Sequence, residues 1–334
     1  MLSCPLPTCY QADLEDALLR FKRWSLDNEC LVFPVVADLH SNLTTTDPLF
    51  GQKRDSAAHI LLLNEVADRF NADFTVNLGD VGVDVPLKEM DEIETLSRRI
   101  LEYHAICRQR PVIFVLGNHD CGYGKLPEDY WGRAFLKINS KVPTTHSEDG
   151  NYGFYDIPQK QTRIFWLNTS DGEEEIADAQ LKFLKDNLHS MPADFCAVML
   201  NHVCTHERLG VGAKSLNAPR PANFAVFNHI LTDFVRCGGR LVGTISGHSH
   251  FDADGRYDGI NYFVLQGYGG IGPKETPAHA RIAQVFNPKL NRTDTFDMDK
   301  YTMIHLVAIK PQLREMRIFR IGAGGSVCDR GAYF

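Results

Sequence analysis

Residues 111–120 read PVIFVLGNHD, and this stretch indicates the fold. The apolar run from Pro111 to Leu116 predicts a short buried strand. Gly117, an amide, an imidazole and a carboxylate follow it at once. Polar side chains of this kind are costly at the edge of a core unless they have partners there. The sequence therefore predicts a functional site at the end of this strand.

The same arrangement, an apolar run followed by polar side chains, recurs along the chain. Further strands are predicted at 30–37, 74–78, 152–157, 163–167, 195–200, 241–246 and 260–265. Helices are predicted at about 56–70 and 86–107, between the first three central strands. Strand–helix alternation favours an α/β fold with parallel strands, whose carboxyl ends meet at one edge of the sheet. The candidate site residues that follow these strands are Asp38, His40, Asp80, Asn118, His119, Asp120, His202, His248 and His250.

Carboxylate, imidazole and amide side chains make up this set, with no thiolate among them. The mixture suits divalent manganese, iron or zinc and differs from that of a structural zinc site. Asp38 and His40 lie two residues apart, so on an extended backbone they would point the same way and chelate one ion. Gly79, Gly117 and Gly247 each precede a candidate ligand, which indicates sharp turns with close backbone approach. A lone aspartate or histidine after a strand is usually a cap or turn residue, but five matching strand ends predict a metal centre.

Charge and cysteine content limit the class of protein. The chain has 334 residues, a formal charge of −7 at pH 7 and nine cysteines. An acidic balance argues against a nucleic-acid partner, and scattered cysteines favour a reducing compartment such as the cytoplasm. No apolar run approaches the ~20 residues needed to span a bilayer. Residues 1–23 also lack the pattern of a signal peptide. We therefore expect a cytoplasmic protein with no membrane partner.

Strands are predicted along most of the chain without a repeat or a linker, so we expect a single domain over 1–334. Surface excursions are expected at about 121–150 and 204–221, and a C-terminal hairpin at about 301–321. Long loops of this size are often functional, so substrate selectivity is expected in the excursions and in the turn at 266–270. Candidate residues for stacking on a base or sugar, or for holding a second phosphate, are Tyr123, Tyr130, Trp131, Arg133, Arg208, Lys214 and Arg220.

Five motifs together resemble the calcineurin-like metallophosphoesterases. They are Asp38-x-His40, Gly79-Asp80, Gly117-Asn118-His119-Asp120, Asn201-His202 and Gly247-His248-x-His250. All five stand in the order of that family, over residues 38–250. The resemblance implies a four-layer α/β/β/α sandwich that contains a centre of two metal ions.

The resemblance also implies a role for each site residue. The first ion would be bound by Asp38, His40, Asp80 and His250, and the second by Asp80, Asn118, His202 and His248. His119 would act as a general acid whose ring is oriented by Asp120. A hydroxide bridging the two metals would attack a phosphodiester or a small phosphomonoester.

Differences from the family pattern indicate which branches of the family this sequence does not resemble. Val83 stands where purple acid phosphatases carry a tyrosine, and residues 81–86 lack the Asp-Arg-Gly of phosphoprotein phosphatases. The resemblance therefore favours a bacterial-type branch that is similar to cyclic-nucleotide phosphodiesterases. Two alternatives stay open: a nuclease of the same superfamily, and a non-catalytic metal-binding scaffold that recognises a partner.

Overall fold

Two β-sheets lie face to face between layers of helices in the computed structural model. The structure describes residues 8–26, 28–40, 58–81, 90–106, 110–120, 126–127, 129–169, 176–209, 222–249, 252–265, 267, 303–322 and 325–334. The helices are α1 Thr8–Ser25, α2 Ala58–Arg69, α3 Met90–Ile106, α4 Tyr130–Ile138, α5 Asp178–His189 and α6 Ala222–Arg236. The strands are β1 Leu31–Val36, β2 Thr75–Asn77, β3 Val112–Phe114, β4 Thr144–His146, β5 Gly153–Ile157, β6 Thr162–Leu167, β7 Cys196–Asn201, β8 Arg240–Ser246, β9 Ala253–Tyr257, β10 Ile260–Val264, β11 Met303–Lys310, β12 Glu315–Gly322 and β13 Arg330–Tyr333.

The first sheet has the strand order β13-β12-β11-β1-β2-β3. β1, β2 and β3 are parallel, so their carboxyl ends lie at the same edge. β11 pairs antiparallel with β1, with Leu31 opposite Ile309 and Val35 opposite His305. β12 and β13 extend the sheet in antiparallel fashion, and β11 and β12 form a hairpin within the segment 303–322. The first-sheet segments that carry candidate ligands therefore end together.

The second sheet has the order β4-β5-β6-β7-β8-β10-β9. β6, β7, β8 and β10 are parallel, whereas β5 and β9 run antiparallel to their neighbours. Every residue of β7 is buried, as expected for a central strand covered on both faces. β7 and β8 end just before His202 and His248, so this sheet also presents candidate ligands at one edge.

Three apolar clusters separate the layers. The cluster between the two sheets contains Phe33 and Val76 from the first sheet and Trp166 and Val198 from the second. A second cluster packs α1, α2 and α4 against the outer face of the first sheet. The third packs α5 and α6 against the outer face of the second sheet. The predicted four-layer α/β/β/α sandwich is confirmed.

The segment 129–150 differs from the irregular surface excursion that we predicted there. α4 and β4 occupy most of it. Trp131 and Phe135, which are four residues apart, bury their rings against Phe114 at the end of β3. This part of the prediction is wrong: Trp131, Ala134, Phe135 and Ile138 recur at helical spacing, so the sequence carried a helix signal that was missed.

Buried arginines connect the closing strands to the second sheet. Asp252 accepts hydrogen bonds from Arg320 and, at 2.8 Å, from Arg330 Nη2. Arg330 Nη1 also donates to the carbonyl oxygen of Val264 at 2.9 Å. Asp252 follows the predicted ligand His250 by two residues, so these contacts tie β12 and β13 to the segment that leaves the predicted site.

Among the described residues, no helix combines the length and apolar character that crossing a bilayer requires.

His104 on α3 is a fully buried, neutral histidine under the C-terminal end of β2. The side-chain amide of Asn77 donates to His104 Nε2 at 3.1 Å, and the ring packs edge-on against Phe135. Burial lowers the pKa of His104 to about 3. In the unfolded chain the same ring would titrate near 6.5.

We expect His104 to make the protein less stable as the pH falls. The folded pKa is depressed, so the unfolded chain binds the proton first and stability is lost from pH 6.5 down toward pH 3. The loss is about 2 kcal/mol at pH 5, from roughly 1.4 kcal/mol per pH unit. Urea unfolding at pH 8 and pH 5 should show a pH dependence smaller by this amount in His104→Gln. His146→Gln, at an exposed position, should keep the wild-type pH dependence, and equal pH dependence in all three proteins would contradict the prediction.

Candidate metal centre

Each candidate site residue in the described part of the chain lies just beyond the C-terminal end of a strand. Asp38 and His40 follow β1, Asp80 follows β2, Asn118 to Asp120 follow β3, His202 follows β7 and His248 follows β8. His250 lies outside the described residues, so its role as a ligand stays a prediction. The ends of two sheets thus supply the residues of one site.

One group of donor atoms comes from four separate segments. Asn118 Oδ1 lies 2.9 Å from His248 Nδ1 and 3.1 Å from His202 Nε2. His202 Nε2 lies 3.3 Å from His248 Nδ1 and 3.2 Å from Asp80 Oδ2. Metal bonds of about 2.0–2.2 Å place neighbouring donors of one ion roughly 2.8–3.6 Å apart. The observed separations and the oxygen–nitrogen donor set therefore fit a divalent metal ion.

A second group shares Asp80 with the first. His40, Asp80 and His119 bring their donor atoms within 4.8 Å of one another. His40 Nε2 lies 3.8 Å from Asp80 Oδ2, the same oxygen that faces His202. The other oxygen, Oδ1, accepts the backbone N–H of His119 at 2.8 Å. A bridging role for Asp80 is thus available through one oxygen atom, while the other holds the β3 loop.

Asp38 is buried beside these groups. Its carboxylate accepts the backbone N–H of His248 at 2.9 and 3.1 Å. The backbone N–H of Asp38 donates to Gly79 O at 2.9 Å, and that of His40 donates to Asp80 O at 2.8 Å. These contacts continue the β1–β2 pairing past the strand ends. They hold the β1, β2 and β8 loops in a fixed relation.

Four candidate ligands within the described residues have a left-handed backbone. The φ angles are 50° at Asp38, 42° at His40, 52° at Asp80 and 66° at His248. Non-glycine residues in this region cost roughly 1–2 kcal/mol each, and such strain concentrates at functional sites. The extended backbone that we predicted for Asp38 and His40 is wrong. The aspartate and histidine side chains reach the site from tight turns instead.

Two glycines allow the β2 and β3 loops to touch. Gly79 has φ of 92°, and a Cβ atom there would lie 2.6 Å from Gly117 N. A Cβ atom on Gly117 would lie 2.2 Å from Asp80 Oδ1. Both distances are far below van der Waals contact. The close backbone approach predicted from these glycines is confirmed.

The Asp120 carboxylate binds the backbone of both loops. Its Oδ2 accepts the N–H groups of Asp80 at 2.9 Å and Gly117 at 2.8 Å, and its Oδ1 accepts that of Val81 at 2.9 Å. Asp120 is 1 % exposed. These hydrogen bonds join the Asp80 turn to the turn that carries Asn118. The predicted orientation of the His119 ring by Asp120 stays a prediction beside this observed role.

Burial and mutual attraction determine the charges of the site. Burial opposes ionisation of Asp80, but the imidazoles of His202, His119 and His40 hold the pKa of Asp80 well below its usual range. Burial, with repulsion from Asp80, raises the pKa of Asp38 well above its usual range, against the attraction of His202. Burial favours neutral His202, yet Asp80 and Asp38 raise the pKa of His202 to about 10. A metal ion bound by His202 would therefore displace a proton.

The predicted substrate-binding residues are not brought to this site where the structure describes them. Trp131 is 1 % exposed and packs in the core, so the prediction that it stacks on a substrate is wrong. Tyr130 packs against the same core. Arg133 pairs with Asp129 on the surface of α4, and Arg208 lies over the ring of Tyr257. Tyr123, Lys214, Arg220 and most of 204–221 and 266–270 lie outside the described residues.

Sequence analysis missed one residue that supports the site, Asn77, and gave a second, Trp131, a different role. Asn77 is buried at the end of β2, where its Oδ1 accepts the N–H of Gly79 at 3.1 Å. Trp131 Nε1 donates to the Asp120 carbonyl oxygen at 2.8 Å. An asparagine inside the apolar run before Gly79 is a signal that was present in the sequence. The Trp131 contact has no such signal, because it depends on how α4 packs on β3.

Comparison with known proteins agrees with the fold. The chain belongs to the calcineurin-like phosphoesterase family, whose model matches residues 32–252. The structure is similar to that of a dimetal phosphatase from Danio rerio, with 14% identity, coverage of 91% of this chain and 99% of that chain, and a TM-score of 0.63. It is also similar to GAP50, the anchor in the inner membrane complex of Plasmodium, with 11% identity, coverage of 91% and 89%, and a TM-score of 0.51. No curated protein sequence shows a significant match. At these identities the structural likeness establishes the fold.

Proposed function

We propose that this chain is a two-metal phosphoester hydrolase that cleaves a phosphodiester or a small phosphomonoester. The observation that carries the proposal is the approach of Asn118 Oδ1, His202 Nε2 and His248 Nδ1 to within 3.3 Å of one another, beside Asp80 Oδ2. Packing alone does not account for this, because polar groups are costly to bury. A bound cation would offset that cost.

The predicted ligand sets divide the site between two ions. One ion would be held by Asp80, Asn118, His202 and His248, and the other by Asp38, His40, Asp80 and His250. Manganese, iron or zinc suits these donors. When bound, two such ions offset the charge that develops on a phosphoryl group and lower the pKa of a water molecule.

We assign His119 as the proton donor to the leaving oxygen of the substrate. The His119 side chain is only half-buried, whereas His40 and His202 are buried, so a substrate can reach it from solvent. Its backbone N–H is fixed on Asp80 Oδ1, which holds the residue next to the donor groups. A competing role also has support, because His119 belongs to the same donor group as His40 and Asp80.

Replacing His119 tests this assignment. His119→Asn is expected to reduce the hydrolysis of a phosphoester with an alkoxide leaving group, such as a cyclic nucleotide, by about 10²–10⁴-fold while the protein keeps two metal ions per chain. His229→Asn, on the exposed surface of α6, is the matched control and should keep wild-type turnover. Unchanged turnover in His119→Asn would rule out the general acid. Loss of one metal ion would show that His119 is a ligand.

The fold by itself does not separate an enzyme from a scaffold, since GAP50 is described as an anchor. The family match and the presence of every predicted donor in the sequence favour an enzyme. The formal charge of −7 argues against a nuclease. The manganese-loaded protein should hydrolyse a cyclic nucleotide, bis-p-nitrophenyl phosphate or p-nitrophenyl phosphate. Cleavage of single- or double-stranded DNA alone would favour the nuclease, and no hydrolysis with two metals bound would favour the scaffold.

A further inference from the structure

Trp131 lies outside the metal centre, yet its indole reaches the loop that carries Asn118 and His119. The ring is 1 % exposed and stacks on Phe114, the last residue of β3, at a centroid distance of 5.4 Å. Its Nε1–H donates to the Asp120 carbonyl oxygen at 2.8 Å. One side chain of α4 therefore contacts both the strand before the loop and the residue that ends it.

Asp120 connects Trp131 to the segments that carry the predicted ligands. Its backbone N–H donates to Gly117 O at 3.2 Å, which closes the turn around Asn118 and His119. Its carboxylate accepts the N–H groups of Gly117 and Asp80, both within 2.9 Å. A shift of Asp120 would thus move the Asn118 amide and the backbone of Asp80 together.

We propose that Trp131 is a positioning residue for the metal centre, which acts through its hydrogen bond to the Asp120 carbonyl oxygen. The inference rests on the metal-binding part of the proposed function and does not depend on the substrate. Metal sites need donors placed within a few tenths of an ångström, so a support one residue removed affects affinity. The indole has a single N–H donor, and in Trp131 this donor is hydrogen-bonded to the loop.

The chain offers a matched control in Trp166. That indole is also buried, at 5 % exposure, and donates to a backbone carbonyl oxygen, that of Gly150, at 3.2 Å. It lies between the sheets in β6 and makes its hydrogen bond to the segment that precedes β5. Trp131→Phe and Trp166→Phe therefore remove the same ring area and the same kind of hydrogen bond. Only Trp131 makes that hydrogen bond to a loop that carries predicted metal ligands.

The test measures manganese affinity by calorimetry on each full-length variant, together with thermal unfolding. Trp131→Phe is expected to weaken manganese binding by about 10–100-fold, the usual effect of removing an outer support of a metal site. Trp166→Phe should bind manganese within about threefold of wild type, although both variants lose thermal stability. Equal manganese affinity in the two variants would overturn the proposal.

A packing control separates the hydrogen bond from the ring stack. Phe135→Leu disturbs the rings under Trp131 and leaves the indole N–H in place, so it should retain manganese affinity. A loss equal to that of Trp131→Phe would assign the effect to packing and overturn the proposal. If Trp131→Phe does not fold, benzothienylalanine at position 131 keeps the bicyclic shape without the N–H, and the same affinity loss is expected. Manganese affinity can be compared among these variants even if the wild-type protein hydrolyses none of the phosphoesters. That result would count against the proposed function but not against the positioning role of Trp131.

Discussion

Asp80→Asn is expected to remove both metal ions and to reduce phosphoester hydrolysis to background. Asp80 Oδ2 is 3.2 Å from His202 Nε2 and 3.8 Å from His40 Nε2, so one oxygen atom serves both donor groups. Asparagine keeps the size of the side chain and removes its negative charge. Two bound cations supply several kcal/mol of transition-state stabilisation, and each 1.36 kcal/mol is a factor of ten in rate. The expected loss of rate is therefore more than about 10³-fold.

The matched control for this change lies at the other end of the same strand. Asp73 precedes β2, and its Oδ2 accepts the N–H of Val32 at 2.8 Å, much as Asp80 Oδ1 accepts that of His119. Asp73→Asn should keep two metal ions per chain by elemental analysis and should keep wild-type turnover. Two tightly bound metal ions in Asp80→Asn would contradict the bridging role.

Gly117→Ala is expected to be among the most destabilising single changes in the chain. The new Cβ would lie 2.2 Å from Asp80 Oδ1 and 2.3 Å from Asp80 N, and the buried backbone there has little room to move. The effect is steric, since the conflict is with atoms of the neighbouring loop. We expect the free energy of unfolding to fall by more than about 4 kcal/mol. Losses of this size are exceptional for single substitutions and arise from specific causes such as a steric collision in the core. The remaining folded protein should lose manganese affinity, because Asp80 has to shift.

Gly238→Ala provides the comparison. Gly238 has φ of 90° but no atom within 4 Å of the position of a Cβ atom, so alanine adds backbone strain without a collision. The expected cost is about 1–2 kcal/mol in urea unfolding, with manganese affinity unchanged. If both alanine variants lost the same stability and bound manganese equally, the steric explanation for Gly117 would be wrong.

The positions of the central strands along the chain and the polar residues that follow them could be predicted from the sequence. An apolar run such as Val112 to Leu116 identifies a strand by itself, and the polar residues after it stand out by contrast. β9 and β13 were not predicted. β9 has the sequence ADGRY and lies at a sheet edge with exposed positions, so neither its composition nor its alternation indicates a strand.

The supports of the site could not be predicted in the same way. The orientation of His119 by Asp120 stays a prediction, whereas the hydrogen bond between Asp120 and the Asp80 turn, 40 residues earlier in the chain, was not expected. The left-handed backbone at Asp38 and His40 follows from loop contacts, which composition does not encode. The burial of Trp131 depends on the packing of α4 on Phe114. In each case a contact distant in sequence decides the geometry.

The position of β11 beside β1 has a consequence for translation. β1 ends at Val36 and β11 begins at Met303. A ribosome adds about 5–20 residues per second, so roughly 15–50 s separate the synthesis of the two strands. During that time one edge of β1 lacks its neighbour and is open to pairing with other chains. The hydrogen bonds of Asp252 with Arg320 and Arg330 likewise form only after those two arginines have been synthesised. We therefore expect the metal centre to be completed late in synthesis, so a nascent chain that stalls before residue 303 would depend on a chaperone.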